Sequence, residues 1–274
     1  MSSNSKHPFF DHGLISYFVI GLCTLMASSM CGVFAAAFVK ILFPALAGRP
    51  ANGIGVAGAS VAMAVIFWLY FRKEGYMGIL KGQKILWCFL VMLPFLAIHY
   101  AGSIVSWHEF GRTGSVVLML LASLSPGFGE EMAFRGLGVA NFMRVAKSGK
   151  DIKLIFWISS VVFGITHIMN IFSGGDPFAS AVQSVYAIGV GMIFCAVYLR
   201  SGNLLPTIIA HASVDFMEFM RGDLVESGGS MTGLGVGDWI TVAASAVGAV
   251  IALILINKKH DDEILEVWKK KWGQ

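Results

Sequence analysis

Apolar runs close to the length of a bilayer crossing recur from one end of this 274-residue chain to the other, with few charges inside them. A helix needs about 20 residues to cross hydrocarbon ~30 Å thick. The composition, 56% hydrophobic and 13% charged, agrees with a membrane protein. A length that would otherwise suit one or two soluble domains therefore reads as one integral-membrane domain over residues 1–274. The predicted fold class is all-α: a polytopic transmembrane helical bundle of about eight spans with a conical or kinked catalytic core.

The spans fall at 13–46, 53–71, 85–106, 115–142, 153–172, 178–199, 204–221 and 238–257. The first is long enough to tilt or to break near Pro44. The fourth contains Ser125-Pro126-Gly127, which predicts a kink, or the end of one helix and the start of another. Backbone groups freed at such a break are tolerated in a membrane only where they face protein or a wet cavity. The N-terminal apolar stretch is too long for a signal peptide and reads as an uncleaved first span. Cys23, Cys31, Cys88 and Cys195 all lie in apolar segments without CxxC spacing, as small buried hydrophobes.

Basic residues test this arrangement. The termini and even-numbered connections hold fifteen: Lys6, Arg72, Lys73, Lys81, Lys84, Arg144, Lys147, Lys150, Lys153, Arg200, Lys258, Lys259, Lys269, Lys270 and Lys271. The odd-numbered connections hold three, Arg49, Arg112 and Arg221. This bias predicts an even number of spans with both termini cytoplasmic, in a bacterial cytoplasmic membrane. Placed between spans, the charge leaves no nucleic-acid footprint. Segments 72–84 and 260–274 are amphipathic and read as interfacial anchors on anionic headgroups. The Gly/Ser stretch 227–237 reads as a flexible outward loop.

Within this apolar background several ionisable groups stand at membrane depth. A charge there costs about 3 kcal/mol or more unless it is paired or hydrated. In Gly129-Glu130-Glu131-Met132-Ala133-Phe134-Arg135, Glu131 and Arg135 are i,i+4 neighbours that can pair. Glu130 points about 100° away and has no built-in counter-ion. Phe163 and His167 share a second face, with Gly164 leaving room for a close helix contact. His211 and Asp215 share a third. Any one of these alone reads as structural glue or a register-fixing ion pair, as His99 does in the third span. Together, beside a Pro-Gly break, they predict a shared site over a core of about 115–221.

The three patterns EExxxR, FxxxH and HxxxD, in this order over Glu130 to Asp215, resemble the CAAX-protease and bacteriocin-processing (CPBP, or Abi) family of intramembrane proteases. Residues 1–110 match that family only in being hydrophobic spans. The resemblance implies an endopeptidase that hydrolyses a peptide bond in a membrane cavity. It further implies that Glu130 is the general base, that His167 holds the water, and that His211 donates to the oxyanion. Glu131 and Arg135 then support Glu130, and Phe163 supports the site. Prenyl-protein endoproteases of the family usually carry Asn where this chain has Asp215. An ionised Asp cannot donate to an oxyanion, so Asp215 has to be protonated, orient His211 or ligate a metal.

The cofactor is either none or one divalent ion such as zinc held by Glu130, His167 and His211; no HExxH helix is present. The expected partners are the lipid bilayer and a membrane-associated, possibly lipidated, peptide or protein substrate. With span four running inward and Glu130 past its middle, the site is expected on the cytoplasmic side. Two other functions use the same residues: a transporter or proton relay, and a non-catalytic bacteriocin-immunity protein.

Overall fold

A computed structural model describes residues 7, 9–222 and 233–274. Its helices are α1 (Gly13–Leu42), α2 (Arg49–Phe71), α3 (Ile85–Phe110) and α4 (Val116–Leu124). The last runs on through a π-helix (Ser125–Val139) into α5 (Ala140–Val145). Then follow α6 (Gly149–Thr166), α7 (Pro177–Ser201), α8 (Leu205–Phe219), α9 (Val236–Leu255) and α10 (Asp261–Lys271). Among the described residues there is no strand, and a lone antiparallel bridge joins Arg112 to Arg221. The chain is an integral-membrane helical bundle.

Among the described residues seven helices are long and apolar enough to cross a membrane: α1, α2, α3, the α4–α5 rod, α6, α7 and α9. The expected span at 204–221 is not one of them. Its helix, α8, has 15 residues, about 22 Å at 1.5 Å per residue, and is packed among the others as a core helix. The first span breaks near Pro44, one of the two outcomes expected for it: α1 ends at Leu42 and the Pro44–Leu46 segment is a separate 3-10 turn. At Ser125-Pro126-Gly127, where one helix was expected to kink or give way to another, the α-helical winding ends at Leu124 and a π-helix starts at Ser125. Proline lacks the N–H that an α-helical ladder needs, and the backbone answers by winding wide over fifteen residues while staying helical. Cys88 and Cys195 are buried, whereas Cys23 and Cys31 are exposed on the outward side of α1, which in a membrane is the lipid-facing side.

Helix ends gather on two faces. On one, Arg200 and Lys84 both pair with Glu263, Arg144 pairs with Asp11 and Glu74, and Lys153 pairs with Asp261. The hydrogen bond from Lys84 holds the Glu263 carboxyl below its usual range. On the opposite face the Glu109 carboxylate accepts from the Val236 and Gly237 N–H groups, and Arg221 pairs with Asp238 at 2.8 Å. The guanidinium of Arg49 lies 5.1 Å from the Phe219 ring centre. Of the Gly/Ser stretch 227–237, residues 227–232 lie outside the described residues, as does Lys6, and the helix begins at Val236.

The two amphipathic segments behave differently from one another. Residues 72–84 form a short 3-10 turn and an irregular loop. Residues 261–271 are a helix, but its Ile264, Trp268 and Lys271, with Trp272 beyond, are buried against the bundle. The cause is visible at Lys271. Its ammonium donates to the carbonyls of Gly78, Ile79, Lys81 and Gly202 at 2.6, 3.4, 2.8 and 2.6 Å. Burial lowers its pKa to about 7, and the carbonyl oxygens oppose that by favouring the charged form.

Lys271→Met keeps the apolar stem and removes the donor from four carbonyls. The expected cost is about 2–4 kcal/mol. It would be read as a lower thermal midpoint in detergent and faster trypsin cleavage near Lys258.

Candidate active site

Three elements bring the sequence motifs together around a cavity of about 310 Å³. Glu130 projects from the π-helix, His167 stands at the C-terminal end of α6, and His211 and Asp215 come from the middle of α8. All four line this cavity, with Phe163. Close backbone approach makes this possible. A Cβ on Gly127 would lie 2.7 Å from the Ala212 side chain of α8. One on Gly164 would lie 2.7 Å from the Ser184 carbonyl oxygen of α7. The Gly164 carbonyl in turn accepts from Ser184 Oγ at 2.8 Å.

The centre of the arrangement is Glu131. Its Oε1 accepts from Arg135 Nη1 at 2.7 Å and from His211 Nδ1 at 2.9 Å. Both Glu131 and Arg135 are fully buried. The expected ion pair is therefore present, and it also reaches the third motif. Arg135 lies 4.1 Å from the centre of the Phe163 ring, close enough for a cation–π contact. The same ring meets His167 and His211 edge-on at 5.1 and 5.7 Å between centroids. Phe163 thus touches one residue from each motif.

His211 Nε2 faces the other two carboxylates, 3.9 Å from Glu130 Oε2 and 3.7 Å from Asp215 Oδ2. Both separations exceed a direct hydrogen bond. Glu130 is the more open of the paired acids, its side chain 30% exposed against 0% for Glu131. Its Oε2 has no hydrogen-bond partner. His167 Nδ1 lies 2.9 Å from the Phe163 carbonyl. A carbonyl only accepts, so Nδ1 carries the proton and Nε2 keeps a free lone pair.

Several lining residues were not read from the sequence. Arg49 and Asn52 come from the first turn of α2, and each has a buried polar atom, Nη1 and Oδ1, without a hydrogen-bond partner. No motif marks them, because Arg49 sits in what reads as a connection. Glu218, one turn after Asp215, follows the same rule as the other intramembrane acids and was within reach of it. His99 lines the cavity too, 3.9 Å from Glu218, in addition to its contact with Ser103.

Among the described residues no three His, Cys, Asp or Glu side chains are grouped so that they could hold a metal ion. The cavity runs from mid-bundle positions, among them His99, Glu130 and His211, to the start of α2, the end of α6, the first turns of α7 and the end of α8, which lie at the face opposite the basic connections.

Removing the acid at the centre separates fold from function. Glu131→Ala leaves Arg135 buried without a counter-ion, an expected loss of about 3–5 kcal/mol in stability. The pair Glu131→Gln with Arg135→Met should recover much of the thermal midpoint in detergent without recovering activity.

The family comparison falls on the same stretch of chain. Residues 112–217 match the family described as type II CAAX prenyl endopeptidase, Rce1-like. No curated protein matches the chain, and no solved structure does. The matched stretch contains Glu130, Glu131, Arg135, Phe163, His167, His211 and Asp215. The stretch that carries the three motifs is therefore similar to the Rce1-like family of CAAX-type membrane endopeptidases, the relationship that those motifs suggested.

Proposed function

We propose that this protein is an intramembrane endopeptidase that hydrolyses a peptide bond with a water activated by Glu130 and His167. The observation that carries the reading is the division of labour between adjacent acids. Glu131 is dry and its Oε1 is held by Arg135 and His211, whereas the Glu130 side chain is 30% exposed and lines the cavity. A general base needs such an open carboxylate within reach of water and substrate.

In this reading Glu130 accepts a proton from water as the water oxygen attacks the carbonyl carbon. His167 Nε2 accepts a hydrogen bond from the water's other O–H, which stays on the attacking oxygen, and so fixes its direction. His211, with a proton on each nitrogen, donates Nδ1–H to Glu131 and Nε2–H to the oxyanion. Glu130 then returns its proton to the departing amine, so water ends divided between acid and amine. Donors placed where charge develops contribute about 3–4 kcal/mol each to such a step. Asp215 stands one turn beyond His211, near Nε2, and serves as its electrostatic partner. This assigns to Glu131 and Arg135 the orientation of His211, in place of the support of Glu130.

No step here is routed through a metal. The substrate is a membrane-associated peptide or protein; the family description adds that prenylated tails are candidates.

Glu130→Gln and His167→Ala should each lower cleavage by about 100-fold or more while leaving insertion and thermal midpoint unchanged. Comparing membrane peptides between cells with the intact protein and cells with Glu130→Gln supplies the readout. Retained cleavage in either variant would overturn the assignment. Metal analysis of pure protein and assay under chelation should show full activity without stoichiometric metal.

A further inference from the structure

Two independent features of the bundle fix which side of the membrane feeds this cavity. The first is charge. Fourteen Lys and Arg residues of the described chain lie at the face that carries α10, against Lys40, Arg49, Arg112 and Arg221 at the other. Short connections rich in Lys and Arg stay in the cytoplasm, so the α10 face is the cytoplasmic one.

The second is packing. From Glu131 to Met143 every residue of the central rod is buried, and so is every residue of the α7 end from Gly189 to Leu204. A separate pocket of about 400 Å³ at the basic face, lined by Lys81, Gly82, Ser201, Asn203 and Lys271, shares no lining residue with the cavity of Glu130, and these buried stretches lie between the two. Towards the other face the described parts of the helices line the cavity instead. His167 stands 18 residues along α6 from Gly149, about 27 Å from the cytoplasmic end at 1.5 Å per residue. Arg49 and Asn52 lie in the first turn of α2, Gln183 in the second turn of α7, and Glu218 at the end of α8.

We infer that the cavity takes its substrate from the non-cytoplasmic side of the membrane. The substrate class is then the extracytoplasmic part of an exported or membrane-anchored peptide. A tail held on the cytoplasmic leaflet, as prenylated cytosolic proteins present it, meets the closed half. This deepens the endopeptidase reading and rests on it. The chemistry at the opening narrows the class further. Among the described residues Arg49 is the one Lys or Arg lining the cavity, and its Nη1 is buried without a hydrogen-bond partner. It suits a carboxylate on the substrate, a chain terminus or an acidic side chain, entering beside Glu130.

Impermeant-maleimide labelling tests the sidedness without depending on activity. In a background with Cys23→Ser and Cys31→Ser, Gly114→Cys reports the cavity face, since a Cβ there meets nothing within 4 Å. Lys259→Cys reports the face of α10, and Ser125→Cys the cavity. Gly114→Cys and Ser125→Cys should label in intact spheroplasts, and Lys259→Cys only in inside-out vesicles. Labelling of Ser125→Cys from the cytoplasmic side alone would overturn the inference.

The released peptides supply the second arm. Products that differ between the intact protein and Glu130→Gln should appear in the medium, and their appearance only in the cytosol would count against the inference. No difference anywhere, with labelling as expected, would sink the endopeptidase reading and spare the sidedness. Arg49→Gln should cut product yield about tenfold, with Arg49→Lys restoring part of it. An unchanged yield would overturn the role given to Arg49.

Discussion

One carboxylate oxygen holds the site together. Glu131 Oε1 receives both Arg135 and the His211 ring in a fully dry position. Burying ions costs several kcal/mol each, and the cost is offset only when geometry is good and further partners are found. Arg135 finds them in the Phe163 ring and, at 3.4 Å, in the Gly191 carbonyl. The central rod, α6, α7 and α8 are thereby tied at one level of the bundle. His211 cannot turn away from the cavity without breaking that network. In the proposed mechanism the network makes Glu131 the structural acid and leaves Glu130 for chemistry.

Backbone form makes the network reachable. A regular α-helix through Pro126 would leave a gap in its ladder and a bend in the rod. Wide winding keeps the segment Ser125–Val139 helical, and π-helical turns are frequent where a helix carries function. Gly127 then lets the rod approach α8 closely enough for Glu131 to reach His211, as Gly164 lets α6 approach α7.

Much of this was legible in the sequence. Hydrophobic length gave the long helices, and i,i+4 spacing gave the Glu131–Arg135, Phe163–His167 and His211–Asp215 pairs, because both depend only on local geometry. What the sequence hid is what depends on packing. The fate of Ser125-Pro126-Gly127 is decided by neighbours that absorb a wide helix. The target of Glu131 lies 80 residues away, so its role towards His211 has no local sign. Arg49 and Asn52 belong to a helix outside the matched stretch and enter the site through the tertiary fold alone. Amphipathicity identified 260–274 but not where its apolar face goes. Lys271 turns inward because four carbonyls await it there.

The position of the dry layer answers a problem that any hydrolase inside a membrane meets. The reaction consumes water, so water has to enter the hydrocarbon region. A hydrated channel that continued to the other face would leak protons along its acids and imidazoles. Here the cavity stops at the Glu131–Arg135 level, and the stretch from there to Met143 is buried throughout. The charged network is thus both the anchor for His211 and the floor of the water-containing space. On the endopeptidase reading, placing it next to Glu130 admits water to the proposed base while keeping the rest of the membrane sealed.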